Sequence, residues 1–170
     1  MKTLVLVTGG TFDKEYDELR GRLYFKHSHV REMLLLGRST LPVRVGELMM
    51  KDSLQMTAAD RRRVLAACRR ARETRIIVTH GTDTMPETAR VLGPALEASG
   101  KTVVLTGAMV PYAFGSSDGL FNLGAALAFA QTLPPGVWVA MNGRVFPWDG
   151  VRKDRRAGRF VRRGPARRPA

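Results

Sequence analysis

The stretch RIIVTHGTDTMPETA, Arg75 to Ala89, decides how this chain is built. Arg75–Thr79 is a short apolar run of the kind that becomes a buried strand. His80, Gly81, Thr82, Asp83 and Thr84 follow at once, and Pro86 then opens a helical pattern that runs to Ala98 and stops near Gly100. A plain connector needs only a turn. Here a strand ends instead in hydroxyls, an imidazole and a carboxylate.

The same arrangement recurs on either side. Thr3–Thr8 is a continuous apolar strand running into Gly9, Gly10 and Thr11, and Thr102–Thr106 runs into Gly107, Ala108 and Met109. Val43–Leu48 and Val137–Met141 are further strand candidates. Thr57, with Asp60 three residues on, starts a helix whose inner face carries Val64, Leu65, Cys68 and Ala71, opposite Arg62, Arg63, Arg69 and Arg70. Ser117–Thr132 is a helix rich in Ala and Leu, and Val30–Leu36 a short one inside an otherwise irregular, charged segment from Phe12 to Thr40. Strand and helix in alternation imply right-handed crossovers and an α/β fold: a doubly wound, mostly parallel sheet with helices on both faces, Rossmann- or flavodoxin-like, in a single domain. Ligands of such folds bind at the carboxyl ends of the strands. The three polar clusters sit at three of those ends, so the fold is expected to bring them together.

Composition narrows the function classes. The 170 residues are 44% hydrophobic and 25% charged, which suits one globular domain with a sizeable core. No apolar run approaches the roughly 20 residues that cross a bilayer, and the five residues after Lys2 are too few for a secretory h-region of about 7–15. A single cysteine, Cys68, excludes an internal disulfide and fits a reducing, cytoplasmic setting. The net charge of +13 points towards nucleic acid until its distribution is seen: residues 151–170 hold nine Lys/Arg against one acid, Asp154, a net of +8 that leaves +5 for the first 150. No aromatic residue lies beyond Phe160 to stack on a base, so nucleic acid is not an expected partner. Residues 1–160 read as the domain and 161–170 as a basic, disordered tail.

Glycines at a strand end let the backbone turn sharply and approach a ligand closely, and helix N-termini there offer N–H groups to a carboxylate or an oxyanion. A threonine becomes a nucleophile only if its proton is removed. On residue type alone Thr11 and Thr82 also read as helix caps, and His80 as a structural hydrogen-bonder. Neither metal nor cofactor is expected. His27 and His29 lie in a segment without fixed geometry, Cys68 has no spaced partner, and TGGTFD is neither G-x-G-x-x-G nor followed by a Walker lysine.

TGGT at 8–11, HGTDTM at 80–85, TGAM at 106–109 and SSDGLFNL at 116–123, in that order and each at a strand end or helix start, resemble the bacterial-type L-asparaginases over residues 3–160. The TFDK, KDSLQMT and MNGRVFPWDGVRK stretches are similar to the short, single-domain members that carry only the N-terminal domain. The resemblance implies an amidohydrolase that converts L-asparagine to L-aspartate and ammonia through an acyl-enzyme on Thr11. It implies a tyrosine assisting Thr11, Tyr16 with Tyr24 as the alternative, and Thr82 paired with Lys153. Asp83 would take the substrate's α-amino group and Ser53 its α-carboxylate, with Gly10, Asp52 and Gly81 lining the site. The Ala108 carbonyl would meet the leaving amide. The family's habit implies a homo-oligomer, a dimer or tetramer.

Val110 follows TGAM where many relatives carry arginine, and Leu54 follows Ser53 where some carry glutamine, so preference among asparagine, glutamine and other amides stays open. Contacts that full-length relatives draw from a second domain are expected to be lost, replaced by a loop or supplied by a symmetry mate. The competing reading is a catalytically silent amino-acid-binding module.

Overall fold

The computed structural model describes residues 2–164. Five parallel strands and one antiparallel strand form the central sheet: β1 (Thr3–Gly9), β4 (Val43–Lys51), β5 (Arg75–Thr79), β6 (Thr102–Thr106), β7 (Gly136–Met141) and β8 (Arg144–Pro147), in the order β4-β1-β5-β6-β7-β8. The order of the five parallel strands is that of flavodoxin-like folds, and it reverses between β1 and β5. Two antiparallel hairpins stand outside the sheet, β2 (Lys14–Asp17) with β3 (Arg22–Phe25), and β9 (Val151–Asp154) with β10 (Arg159–Arg162).

Each inner strand is apolar on both sides because both sides are covered. Leu4, Leu6, Ile76, Val78, Val103 and Leu105 pack beneath α2 (Ala58–Arg70) and α3 (Met85–Leu96), against Val64, Cys68, Ala89 and Leu92. Val5, Val7, Ile77 and Val104 face the other layer, formed by α1 (Val30–Leu36) and α4 (Gly119–Thr132), against Val30, Met33, Leu123 and Ala126. The expected α/β class, with helices on both faces, is what the chain adopts.

Three regions differ from the sequence expectation. β4 continues three residues past Leu48, and its register against β1 shifts between Val7 and Gly9, which interrupts the alternation that would have marked its end. The segment after Thr11 is a hairpin rather than irregular chain. The C-terminal segment is also built into the fold: Val151 and Phe160 are buried in the core. Arg90 donates to the Val151 carbonyl at 3.2 Å, and a methyl group at Gly93 would lie 2.2 Å from the Trp148 ring. Val161 and Arg162, assigned to the tail from sequence, belong to β10, and Arg163 N–H donates to the Gly150 carbonyl at 2.8 Å. The rest of the expected tail, from residue 165, lies outside the described residues.

Candidate active site

The turns after β1 and β5 touch. Gly9 and Gly10 take φ of 89° and 78°, a backbone that only glycine adopts at little cost. A methyl group at Gly10 would lie 2.3 Å from the Gly81 backbone nitrogen, one at Gly81 would lie 2.5 Å from Ser53 Oγ, and one at Gly107 would lie 2.3 Å from the His80 carbonyl. Four strand ends are thus packed closely together at the point where the strand order reverses. Thr11 and Thr82 are the residues next in chain to the touching glycines.

Hydroxyl and backbone N–H groups lock these turns. Thr8 Oγ1 donates to the Thr79 carbonyl at 2.7 Å, Gly10 N–H to the Lys51 carbonyl at 3.0 Å, and Thr84 Oγ1 to the Ser53 carbonyl at 2.8 Å. His80, fully buried, directs Nδ1 at the Gly81 carbonyl (2.7 Å) and Nε2 at Thr88 Oγ1 (2.8 Å). Burial pushes its pKa down to about 4, against the Gly81 carbonyl that favours a proton. It is a neutral strut under the turn, as the sequence suggested.

Lys153 comes from β9. Its Nζ donates to Thr82 Oγ1 at 2.7 Å and to Asp83 Oδ1 at 2.8 Å. Thr82 is buried. The Asp83 side chain is 36% exposed and that of Lys153 10%, so Asp83 is the member of the trio that faces outward. Ala108 is buried beside these turns.

Asp118 and Asn122, part of a matched motif but given no role from sequence, organise the TGAM turn. Asp118 accepts from the N–H groups of Met109 (2.9 Å) and Val110 (3.0 Å). Asn122 donates to the Gly107 carbonyl at 2.9 Å and accepts from Asn142 N–H at 3.0 Å. A short side chain that answers backbone groups in this way has no periodicity to reveal it.

Ser53 is 1% exposed and lies directly under Gly81. The Asp52 carboxylate is taken up by the Lys14 ammonium and the Leu54 N–H. Burial would raise its pKa, but these two partners hold it below the ordinary carboxylate value. Among the described residues no side chain hydrogen-bonds the Thr11 hydroxyl. Tyr24 donates instead to Glu15 Oε2 at 3.1 Å, and Tyr16 is 53% exposed with its hydroxyl beside Gly21 at the hairpin's far end. Neither tyrosine is drawn onto Thr11 while the hairpin holds this conformation.

Two residues past Thr11, Asp13 is buried. Its Oδ1 accepts from His29 N–H (2.9 Å) and Ser28 Oγ (3.1 Å), while Oδ2 has no partner. Burial raises its pKa to about 6 in spite of those bonds.

A family model described as "Asparaginase, N-terminal" matches residues 2–159. The chain is 30% identical over 148 residues to the L-asparaginase of Thermococcus kodakarensis, an alignment covering 85% of this chain and 45% of that protein. It is 41% identical over 81 residues to the glutaminase-asparaginase of Acinetobacter glutaminasificans, covering 46% and 24%. A subunit of the glutamyl-tRNA(Gln) amidotransferase of Pyrobaculum aerophilum is 32% identical over 137 residues, covering 78% and 33%. The solved structure of the thermostable L-asparaginase from Thermococcus kodakarensis superposes with a TM-score of 0.82 at 29% identity, covering 95% of this chain and 51% of that one. The chain therefore spans about half the length, or less, of these relatives.

Two buried groups, His80 and Asp13, pull stability in opposite directions in the mildly acidic range. His80 binds its proton less readily folded than unfolded, so between about pH 4 and 6.5 it makes stability rise with pH. Asp13 binds its proton more readily folded, so between about pH 3.8 and 6 it makes stability fall with rising pH. Asp13→Asn keeps the acceptor for His29 and removes only the second effect. Denaturant melts at pH 4.5 and 6.5 are expected to show a larger gain in stability with pH for this variant than for the parent. Equal gains would contradict the burial of the Asp13 carboxyl with Oδ2 unpaired.

Proposed function

The chain belongs to the asparaginase family, and we propose that it is an amidohydrolase converting L-asparagine to L-aspartate and ammonia. The observation that carries the reading is Lys153 bonded to both Thr82 and Asp83 across about seventy residues of sequence, beside a glycine turn in backbone contact with the one that bears Thr11. A chance helix cap would need none of this.

In the proposed reaction Thr11 Oγ attacks the side-chain amide carbon, its proton leaves with the departing ammonia, and water then cleaves the resulting ester to release aspartate. Backbone N–H groups of the Thr11 and Thr82 turns hold the oxyanion, a contribution for which losing one donor typically costs about 10²–10³ in rate. Lys153 fixes the Thr82 hydroxyl and carries positive charge next to the reacting centre. Asp83, outward-facing, pairs with the substrate's α-ammonium, and the Ser53 segment beneath Gly81 receives the α-carboxylate. The Ala108 carbonyl faces the leaving amide. Activation of Thr11 by Tyr16 or Tyr24 requires the β2–β3 hairpin to close from the conformation described.

A cytoplasmic setting and a homo-oligomer, dimer or tetramer, complete the proposal. Leu35, Leu36 and Phe121 are 79%, 61% and 63% exposed, apolar surface that a second copy would cover. Among the described residues no helix is long and apolar enough to cross a membrane.

Ammonia release from a panel of asparagine, glutamine and related amides is the test. The parent is expected to act on asparagine; Thr11→Ala, Thr82→Ala and Lys153→Met are each expected to lower kcat by at least about 10³-fold. Binding of aspartate without turnover of any amide would leave a silent binding module, and a preference for glutamine would correct the substrate. Light scattering coupled to size exclusion is expected to give a multiple of 18.8 kDa, and a lone species of that mass would remove the oligomer.

A further inference from the structure

From sequence, His27 and His29 lack fixed geometry; the fold supplies it. We propose that Glu15, His27 and His29 form a binding site for a divalent transition-metal ion of the zinc class, at the foot of the β2–β3 hairpin, independent of the amidase reading.

One donor atom from each residue lies within 4.8 Å of the others. His29 Nε2 is 3.4 Å from Glu15 Oε1, and His27 Nδ1 is 3.9 Å from the same oxygen. Tetrahedral zinc with bonds of about 2.0–2.2 Å separates neighbouring ligand atoms by roughly 3.4 Å. One edge of the tetrahedron is therefore already at its length, and the second is about half an ångström long. His27 closes it readily, because its side chain is 58% exposed.

The partners around these residues are those of a ligand set. His29 is 6% exposed, and its Nε2 is buried without a hydrogen bond among the described residues, although Glu15 stands near. Leaving such a nitrogen unpaired is costly, and a cation satisfies it. Its Nδ1 faces Glu32 Oε2 at 3.4 Å, and Glu32 Oε1 in turn accepts from the Tyr112 hydroxyl at 3.3 Å. Donation of Nδ1–H to a carboxylate leaves the Nε2 lone pair pointing at Glu15, the outer arrangement usual for metal-bound histidine. Tyr24 occupies Glu15 Oε2 and leaves Oε1 for the ion. Two imidazoles and one carboxylate select zinc, cobalt, nickel or copper over magnesium and calcium, and three protein ligands keep a fourth position for water.

Filling the site ties Glu15 on the outgoing strand to His27 and His29, which follow the return strand and lead into α1. His29 N–H is already bonded to Asp13, in the turn that carries Thr11. The ion is thus a clasp at the hairpin's base, next to the candidate nucleophile, and it slows opening of the hairpin.

The site is easily isolated, because the chain has only three histidines and one cysteine. His80 is buried with both ring nitrogens engaged, and Cys68 is buried with its thiol pushed up to about 12. Chelator-stripped full chain is titrated with Zn²⁺ against a chromophoric chelator, with Mg²⁺ as control. One equivalent of Zn²⁺ per chain and no Mg²⁺ is expected, with Tyr24→Phe weakening binding about tenfold and His27→Ala by more than the roughly 10–100-fold of an outer partner. Hydrogen exchange over residues 14–25 is expected to slow on adding Zn²⁺ to the parent and to stay unchanged in His27→Ala. His27 is exposed, so that variant keeps the fold. Failure to bind one equivalent, or equal affinity in His27→Ala, overturns the site; unchanged exchange in the zinc-loaded parent overturns the clasp.

Discussion

Gly10 and Gly81 leave no space between them. Where the strand order reverses, folds of this class bind their ligands, and here two glycine turns are in backbone contact at that point. Everything chemical follows from that contact. It places Thr11 and Thr82 each one residue from the contact, and it leaves no room for a side chain at Gly10, while Ser53 leaves none at Gly81. Hydroxyl bonds from Thr8, Thr84 and Thr88, and the Asp118–Asn122 pair, serve to hold the turns in register.

Lys153 is the second constraint. It reaches the site only because the last strands return to the core, with Val151 and Phe160 buried and Trp148 laid over Gly93. Held by Thr82 and Asp83, Lys153 fixes an ion pair beside the glycine turns, with Asp83 its more exposed member. In the β2–β3 hairpin both tyrosines stand away from Thr11: Tyr24 is bonded to Glu15 of the facing strand, and the Tyr16 hydroxyl lies beside Gly21.

Much of this was legible in the chain itself. Buried parallel strands announce themselves as unbroken apolar runs, and glycines after them mark the turns, so the α/β class and the clustering of Thr11, Thr82 and Asp83 could be read directly. The pairing of Lys153 with Thr82 could not. It lies in a basic run where one lysine looks like another, and only the family resemblance singled it out. The hairpin stayed hidden because neither of its strands, KEYD and RLYF, buries a face, so no period-two pattern exists to find. Asp13, Asp118 and Asn122 were silent for another reason: their work is done on backbone groups away from their own positions in the chain, which no local pattern encodes.

If Thr11 and the Thr82–Lys153–Asp83 trio act on one bound molecule, a crystal structure of the protein with L-aspartate will show it. The ligand's side-chain carboxylate is expected between Thr11 and Thr82, with its α-ammonium on Asp83. Aspartate bound elsewhere under saturating conditions, or the two threonines opening onto separate surfaces, would contradict a shared site.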